Sequence, residues 1–367
     1  MKLNISRVLL KNILLNNMSV KIVFKEENEE IFWDFWQKYL ARINVSSRYL
    51  RITLEQNIKF SQAKSLLYRD KSFVYVVNNE PMACVFLPIE KRGDYLMISH
   101  DINDGYVDAP LFKNNLIEKQ IFSLIDEIAR ENNVGKIMFS IDPLENSQIN
   151  YLQKYNYFDT TILNYIIDLT FNDLFSACRR NHRRNIKFIL NNNDFSVFFM
   201  DKNNSLYEIH EEYRKLHHKC SGRVTRPKET FDQQFKKLQQ GFAVLVGLRY
   251  KDKNIAFHYF SYYKERAIAD SAADDPDYDK LPLYHILVYK GMEYLKENGV
   301  KFIDMGQPSA PSSQFGYYFS DKQLNISLFK SGFGGYYANW FKGIKYFSKE
   351  LFKQDAEEFL SKYSYGQ

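Results

Sequence analysis

Cysteine is scarce in this chain: Cys84, Cys178 and Cys220 are the whole complement, and no two are close enough for a CxxC pair. That spacing excludes a zinc finger or ribbon, and the odd count leaves a thiol over in any disulfide scheme, so a reducing cytoplasm and no metal are expected. Long apolar runs are also missing. No stretch of about 18 uncharged apolar residues occurs, which excludes a spanning helix. Residues 1–17 are basic and partly apolar, but Lys11 interrupts them and no small-residue cleavage site follows, so a signal peptide is not expected. A membrane-surface helix, a frayed extension and a true start at Met18 all remain open there. Charge of one sign is in short supply as well, with 50 Lys+Arg against 44 Asp+Glu for a net +6. Such a balance points to an anionic partner only where the excess is concentrated.

Aromatic residues are plentiful, 30 Phe and 27 Tyr among 367 residues, and that much buriable surface excludes a disordered chain. The length exceeds one core and predicts two domains of roughly 150 to 200 residues. In the first half, Ile31, Phe32, Phe35, Trp36 and Leu40 recur at helical spacing over Glu29 to Arg42. Strand-like runs follow at Phe73 to Val77, Met82 to Ile89 and Tyr95 to Ser99. A helix over Leu116 to Arg130 leads to a strand at Lys136 to Ile141, and a strand at Thr161 to Leu169 is expected to close the unit.

The second half repeats that order. A basic helix near Phe171 to Leu190 precedes a strand at Phe195 to Met200 and helices at about 206–218 and 228–239. Strands are expected at Phe242 to Tyr250, Ile255 to Tyr263 and Arg266 to Ala273, then a helix over Leu283 to Asn298 with Pro282 at its start and Gly299 past its end. It delivers the strand Lys301 to Met305. The repetition at a spacing of about 150 residues suggests duplicated domains rather than a solenoid.

Two charged segments stand out. Leu174 to Leu190 holds Arg179, Arg180, Arg183, Arg184 and Lys187 and no acid. On a helical wheel Phe175, Cys178, His182, Ile186 and Ile189 share one face and the cations the other, with His182 as a core histidine. Arginine forks suit phosphate oxygens, in a phosphorylated ligand, tRNA or a membrane surface; a solvated helix face is the plain alternative. Asp270 to Asp279 carries five aspartates and no cation. Asp279 is expected to cap the following helix, while Asp274 and Asp275 could hold or deprotonate an amine nucleophile.

The third feature is the strand end Ile303-Asp304-Met305-Gly306, followed by a Pro/Ser loop and the run Phe329-Lys330-Ser331-Gly332-Phe333-Gly334. The order of basic helix, strand meander, Tyr284-containing helix, IDMG strand end and FKxxFG resembles FemAB-like transferases, the branch of the GNAT acyltransferase superfamily with two fused GNAT-like domains. The likeness is strongest over about 170–347 and rests on element order over 20–168, where Leu87 to Ile89 and the Asp101 to Pro110 loop also fit. It implies an α/β (α+β) fold of two GNAT-like domains, each a mixed, largely antiparallel sheet flanked by helices. The expected division is an extension at 1–19, an N-terminal domain at 20–168 and a C-terminal domain at 169–367.

The resemblance further implies transfer of an acyl or aminoacyl group to an amine in cell-envelope biosynthesis, with Lys330 at the active centre. There its ammonium would bind a donor phosphate or offset the oxyanion formed on attack. Asp274 or Asp275 would accept the proton, since an ammonium cannot attack. Arg179 and Arg183 would bind phosphate, and Tyr284, Asp304, Gln307 and Phe329 complete the substrate-binding set.

Where acetyl-CoA enzymes of the superfamily carry Q/R-x-x-G-x-G/A, a cradle for pyrophosphate, this chain has DPDYDKLPLYH, without glycine. The expected donor is acetyl-CoA or another acyl-CoA, with aminoacyl-tRNA as the alternative. The acceptor is a nucleotide- or lipid-linked sugar or peptide amine, with peripheral membrane contact left open. Ligases that use tRNA commonly insert a long helical hairpin, but Asp201 to Gln240 holds two short helices, and a tRNA surface would need more cationic clusters than the one found. A small donor is therefore preferred. A non-catalytic GNAT-like protein that binds an anionic partner is the rival of another class.

Overall fold

The computed structural model describes residues 19–100, 105–145, 147–306, 315 and 320–364. Residues 1–17, for which a membrane-surface helix is one of the three open readings, and Gln307 lie outside the described residues. In the first half the elements are β1 (Val20–Phe24), α1 (Glu29–Ala41), α2 (Arg51–Ala63), β2 (Leu67–Asp70), β3 (Phe73–Val77), β4 (Glu80–Val85), β5 (Pro88–Arg92), β6 (Tyr95–Ile98), β7 (Val107–Asp108), β8 (Leu111–Phe112), α3 (Asn115–Glu131), β9 (Val134–Ser140), β10 (Phe158–Asp159) and β11 (Ile162–Asp168). The second half runs α4 (Leu174–Ala177), α5 (Arg180–Leu190), β12 (Phe195–Met200), α6 (Tyr207–Ser221), α7 (Lys228–Gln239), β13 (Ala243–Tyr250), β14 (Lys253–Tyr263), β15 (Arg266–Asp274), α8 (Leu283–Glu297), β16 (Phe302–Asp304), α9 (Asp321–Lys330), β17 (Gly335–Trp340), β18 (Lys342–Tyr346) and α10 (Lys349–Ser364).

Local chemistry sets many of these boundaries. Asn28 caps α1 by accepting from the Ile31 amide at 3.0 Å, and Asn114 caps α3 by accepting from Ile117 at 3.1 Å. The helical stripe of α1 buries Phe32, Trp36 and Leu40, as their spacing predicts. The strand expected over Met82 to Ile89 is instead two. β4 ends at Val85 and joins a four-stranded sheet, β1-β3-β4-β8, whereas β5 joins a seven-stranded one. Pro88 opens β5 and has no N–H with which to continue a ladder.

Both large sheets mix antiparallel and parallel pairs. The first runs β10-β18-β9-β6-β5-β2, with β7 also on β9, and the second runs β12-β13-β14-β15-β16-β11-β17. The two are linked by a reciprocal exchange of strands. β11, expected to close the first unit, instead lies between β16 and β17 of the second sheet, antiparallel to both. β18, which follows β17 after Phe341, lies between β9 and β10 of the first sheet, again antiparallel to both. Each sheet is completed by a strand from the other half, so the halves are bound by ladder hydrogen bonds as well as by side chains. At the start of β17, Gly335 has φ +148°, and a Cβ there would fall 2.0 Å from the Ile166 carbonyl oxygen on β11. Only glycine lets the two strands approach so closely.

One core fills the first half. In the second half, α5 and α8 cover one sheet face with Ile186, Ile189, Ile286 and Met292, and α6 and α7 cover the other with Tyr213, Phe231 and Leu238. The basic helix is shorter than expected. Arg179 is extended (φ −56°, ψ 146°) and its amide donates to Gly332 O at 2.8 Å, which separates α4 from α5. No helix among the described residues is long and apolar enough to cross a membrane.

Candidate functional site

β15 and β16 begin as parallel neighbours, Arg266 to Ile268 opposite Phe302 to Asp304, and then part. β15 continues to Asp274 while β16 stops, so the sheet opens just past Asp304. Helix α9 delivers Lys330 into this opening. Its Nζ is so near Gly306 that a Cβ there would sit 3.4 Å away. Burial pushes the Lys330 pKa down, with Asp304 pulling the other way. The neighbouring His258 on β14 is buried, and burial together with the Lys330 charge pushes its pKa down to about 3. A neutral imidazole therefore stands beside the half-buried Lys330.

Asp304 is fully buried and fully engaged. Its Oδ2 accepts from Arg48 Nη2 at 2.7 Å, and its Oδ1 accepts from Asn164 Nδ2 and from the Gly306 amide, each at 2.7 Å. Burial works against the Arg48 charge, but Asp304, Asp108 and Asp142 together hold it firmly protonated. Gly306 turns the chain away at φ +74°, a conformation that favours glycine. The IDMG strand end thus fixes the floor on which Lys330 rests.

The other half of the FKxxFG run anchors α9. A capping box joins Ser320 and Gln323 at its start, the Ser320 amide donating to Gln323 Oε1 at 2.7 Å. At its end Phe329 packs on His182, His285 and Phe333. His182 Nε2 donates to the Phe329 carbonyl at 2.8 Å, and burial lowers its pKa, as suits a core histidine. A Cβ at Gly332 would fall 2.2 Å from that nitrogen. Phe329 therefore positions Lys330 from beneath.

The expected site residues divide into separate groups. Lys330, Asp304 and Phe329 come together. Asp274 stands at the end of β15, two residues past Ala272, the ladder partner of His258, and its hydrogen bonds go to other groups. There Asp274 Oδ1 accepts from Tyr284 Oη at 2.8 Å and Cys220 Sγ at 3.1 Å. Burial, then Asp274, drives the Tyr284 pKa far up. Asp275 pairs with Lys219 and, at 2.7 Å, with Lys253, and it caps the turn Pro276–Tyr278. Those bonds overcome the effect of burial and hold its carboxyl well below the usual range, the state of an anchor rather than of a base. Asp279, expected as the cap of α8, lies at the end of that turn, and the N-cap position of α8 is Pro282.

The two arginines expected to bind phosphate bond to the chain itself. Arg179 Nη2 donates to Leu328 O at 2.8 Å, and Arg183 Nη1 donates to Ser176 O at 3.0 Å and to Cys178 O at 2.5 Å. Arg183 thus satisfies carbonyls at the break between α4 and α5, and Arg179 satisfies one in the last turn of α9.

A polar cavity of about 110 Å³ lies between the halves, with Arg48 and Ile268 in its lining. Asp108 and Tyr106 line it from the first half; Arg226, Gln234 and Lys237 line it from the second. Asp108 and Lys237 are both more than nine-tenths buried, and neither makes a hydrogen bond or ion pair with a described residue. Burial raises the Asp108 pKa to about 6, with Asp142 and Asp304 adding to it and Arg48 opposing. Burial lowers the Lys237 pKa, and Arg226 and Arg48 lower it further against Asp270. Sequence reading missed this cavity. Asp108 belonged to a loop noted only for its pattern, and nothing marks Lys237 among the cations of its helix. Among the described residues no group of three or more His, Cys, Asp or Glu is arranged to hold a metal.

Residues 176–315 match the family model described as an acetyltransferase (GNAT) domain. No curated protein matches the sequence. Among solved structures, FemX is similar at 13% identity and a TM-score of 0.62, covering 92% of this chain and 99% of that one. L-PGS from Bacillus licheniformis is similar at 15% and 0.54, covering 82% and 95%. A tandem GNAT protein from the clavulanic acid biosynthesis pathway is similar at 11% and 0.51, covering 89% and 98%. The fold is thus that of tandem GNAT proteins, and its C-terminal half carries a GNAT acyltransferase domain of FemAB-like build.

Proposed function

We propose that this FemAB-like GNAT acyltransferase transfers an acyl group, acetyl from acetyl-CoA in the simplest case, to an amine of a nucleotide- or lipid-linked sugar or peptide precursor of cell-envelope polysaccharide or peptidoglycan. Lys330 carries the reading: a half-buried ammonium at the place where β15 and β16 part, held by Phe329 below and facing Gly306. In that opening the edge of β15 beyond Ile268 is released from β16 and offers backbone groups to an extended donor. An acyl carbonyl beside Lys330 would develop negative charge on attack, and a poorly hydrated ammonium offsets such charge far better than a hydrated one.

The acceptor would enter from the cavity between the halves. Asp108 feels both Arg48 and Asp304, and with its pKa raised to about 6 it suits a group that receives the amine's proton, in place of Asp274 and Asp275. Lys237 and Arg226 would hold an anionic group of the acceptor. Both candidate donors are cytoplasmic molecules, and the reaction is proposed there.

The acidic segment favours a second donor. Asp274, Asp275, Asp277 and Asp279 precede α8, and Lys219 and Lys253 counter Asp275, with Lys219 also reaching Asp277 at 2.9 Å. A pyrophosphate is poorly received there, which favours an aminoacyl ester of tRNA as donor. The test is transfer from labelled acetyl-CoA and from aminoacyl-tRNA to amine acceptors, by wild type and by Lys330→Met. Loss of about a hundred- to a thousand-fold in kcat with either donor is expected. Unchanged turnover in Lys330→Met would remove Lys330 from the reaction, and an anion-binding protein that transfers from neither donor would replace the enzymatic reading.

A further inference from the structure

Helix α5 presents an outward stripe that the proposed chemistry does not use. Arg180, Arg184 and Lys187 lie one turn apart on its exposed side, and none makes an ion pair with a described residue. Like charges at such spacing repel along a helix, so an external anionic surface would stabilise the stripe. Apolar groups bracket it. Phe188, 49% exposed, stands at the C-terminal end of the stripe. At the other end stand Leu328, 59% exposed, and Phe171, 45% exposed. Arg179 ties that end together, since it donates to the Leu328 carbonyl and shares a surface groove with Phe171.

We infer that this face docks on a bilayer containing anionic phospholipid, with the cations on the headgroups and Phe188, Leu328 and Phe171 in the interface. A polyanion such as RNA would reward the cations but not an exposed leucine, whereas a bilayer interface rewards both. The cations from Arg180 to Lys187 span roughly 10 Å of the 11-residue helix, a suitable footprint for a few headgroups. Leu328 and Lys330 are two residues apart on α9, about 200° around the helix, so the exposed leucine and the half-buried lysine lie on opposite sides of it. The docking is therefore independent of the proposed function.

The experiment is flotation of the full chain with vesicles of phosphatidylcholine alone and of phosphatidylcholine and phosphatidylglycerol in equal parts, read without any transfer assay. Binding is expected only to the second, weakening as salt is raised. Arg180→Ala with Arg184→Ala should lower the partition roughly thirty-fold. Leu328→Ser should weaken binding while leaving its salt dependence unchanged, and the melting temperature of each variant reports its folding. Salt-sensitive binding of the wild type supports the inference even where a variant misfolds. Equal binding to both vesicles, binding to neither, binding indifferent to these substitutions, or retention of tRNA without retention of vesicles would each overturn it. A protein that floats but transfers nothing would sink the proposed function and leave the docking face standing.

Discussion

Arg48 of the first half donates to Asp304 of the second at 2.7 Å, and Asp304 has no exposure to solvent. The pair joins the two sheets at the level where β15 and β16 part, with Arg48 lining the cavity and Asp304 near Lys330. Replacing Arg48 by Met leaves a buried carboxylate without its cation. It should cost about 3–5 kcal/mol in denaturant unfolding, and Arg48→Met combined with Asp304→Leu should cost less than the sum of the two single changes.

Lys330 has a folded pKa below its ordinary value of 10.5. Between the lowered pKa and 10.5 the unfolded chain binds more protons than the folded one, so this lysine makes the protein more stable as pH rises through that window. Activity that needs the ammonium should do the opposite, falling on the alkaline side earlier than an ordinary lysine would dictate. Lys330→Arg should move that limb upward in a pH profile of kcat; an unmoved limb would assign it to another group.

Asp275 has a depressed pKa, so the stability it confers is full above its ordinary value of 3.8 and is lost as pH falls through the depressed one. Asp275→Ala removes the cap of Pro276–Tyr278 and both lysine contacts. A loss of about 1–2 kcal/mol is expected, with kcat unchanged because the carboxylate is engaged as the anchor of that turn. A large fall in kcat at constant KM would restore it to the chemistry.

The side chain of Lys237 is buried with no hydrogen bond or ion pair to a described residue, a state that costs stability. Lys237→Met should raise stability by about 0.5–2 kcal/mol while raising the KM for an anionic acceptor and leaving that for the donor alone. Thermal unfolding and steady-state kinetics on the same preparation separate the two effects.

Gly335→Ala places a Cβ 2.0 Å from Ile166 O at φ +148°. The backbone conformation alone should cost about 1–3 kcal/mol, and the overlap adds to that by prising β17 from β11. A melting temperature equal to wild type would show that the two strands tolerate a wider spacing.

Much of the local structure was legible beforehand. The apolar stripe of α1 and the strand runs of β3, β12 and β13 carry their signal in neighbouring residues, and so they emerge close to their expected limits. The FKxxFG run and the IDMG strand end marked Lys330 and Asp304, which the fold does bring together. Asp274 and Asp275 were chosen for their acidity, yet acidity says nothing of partners, and Lys219, Lys253, Tyr284 and Cys220 occupy them. Arg179 and Arg183 were read as free cations because a helical wheel cannot show that the chain bends at Arg179 to meet Gly332.

By itself the sequence determined which segments become helices and strands, the duplicated order of the two halves and the motif that bears Lys330. These follow from periodicity, caps and turns, interactions that span only a few residues. Tertiary structure alone decided that β11 and β18 trade places, that Arg48 meets Asp304, and that Asp108 and Lys237 face one cavity. A strand's alternation reads the same in either sheet, and a buried charge is recognised only when the distant residues that pair with it, or fail to, are in place.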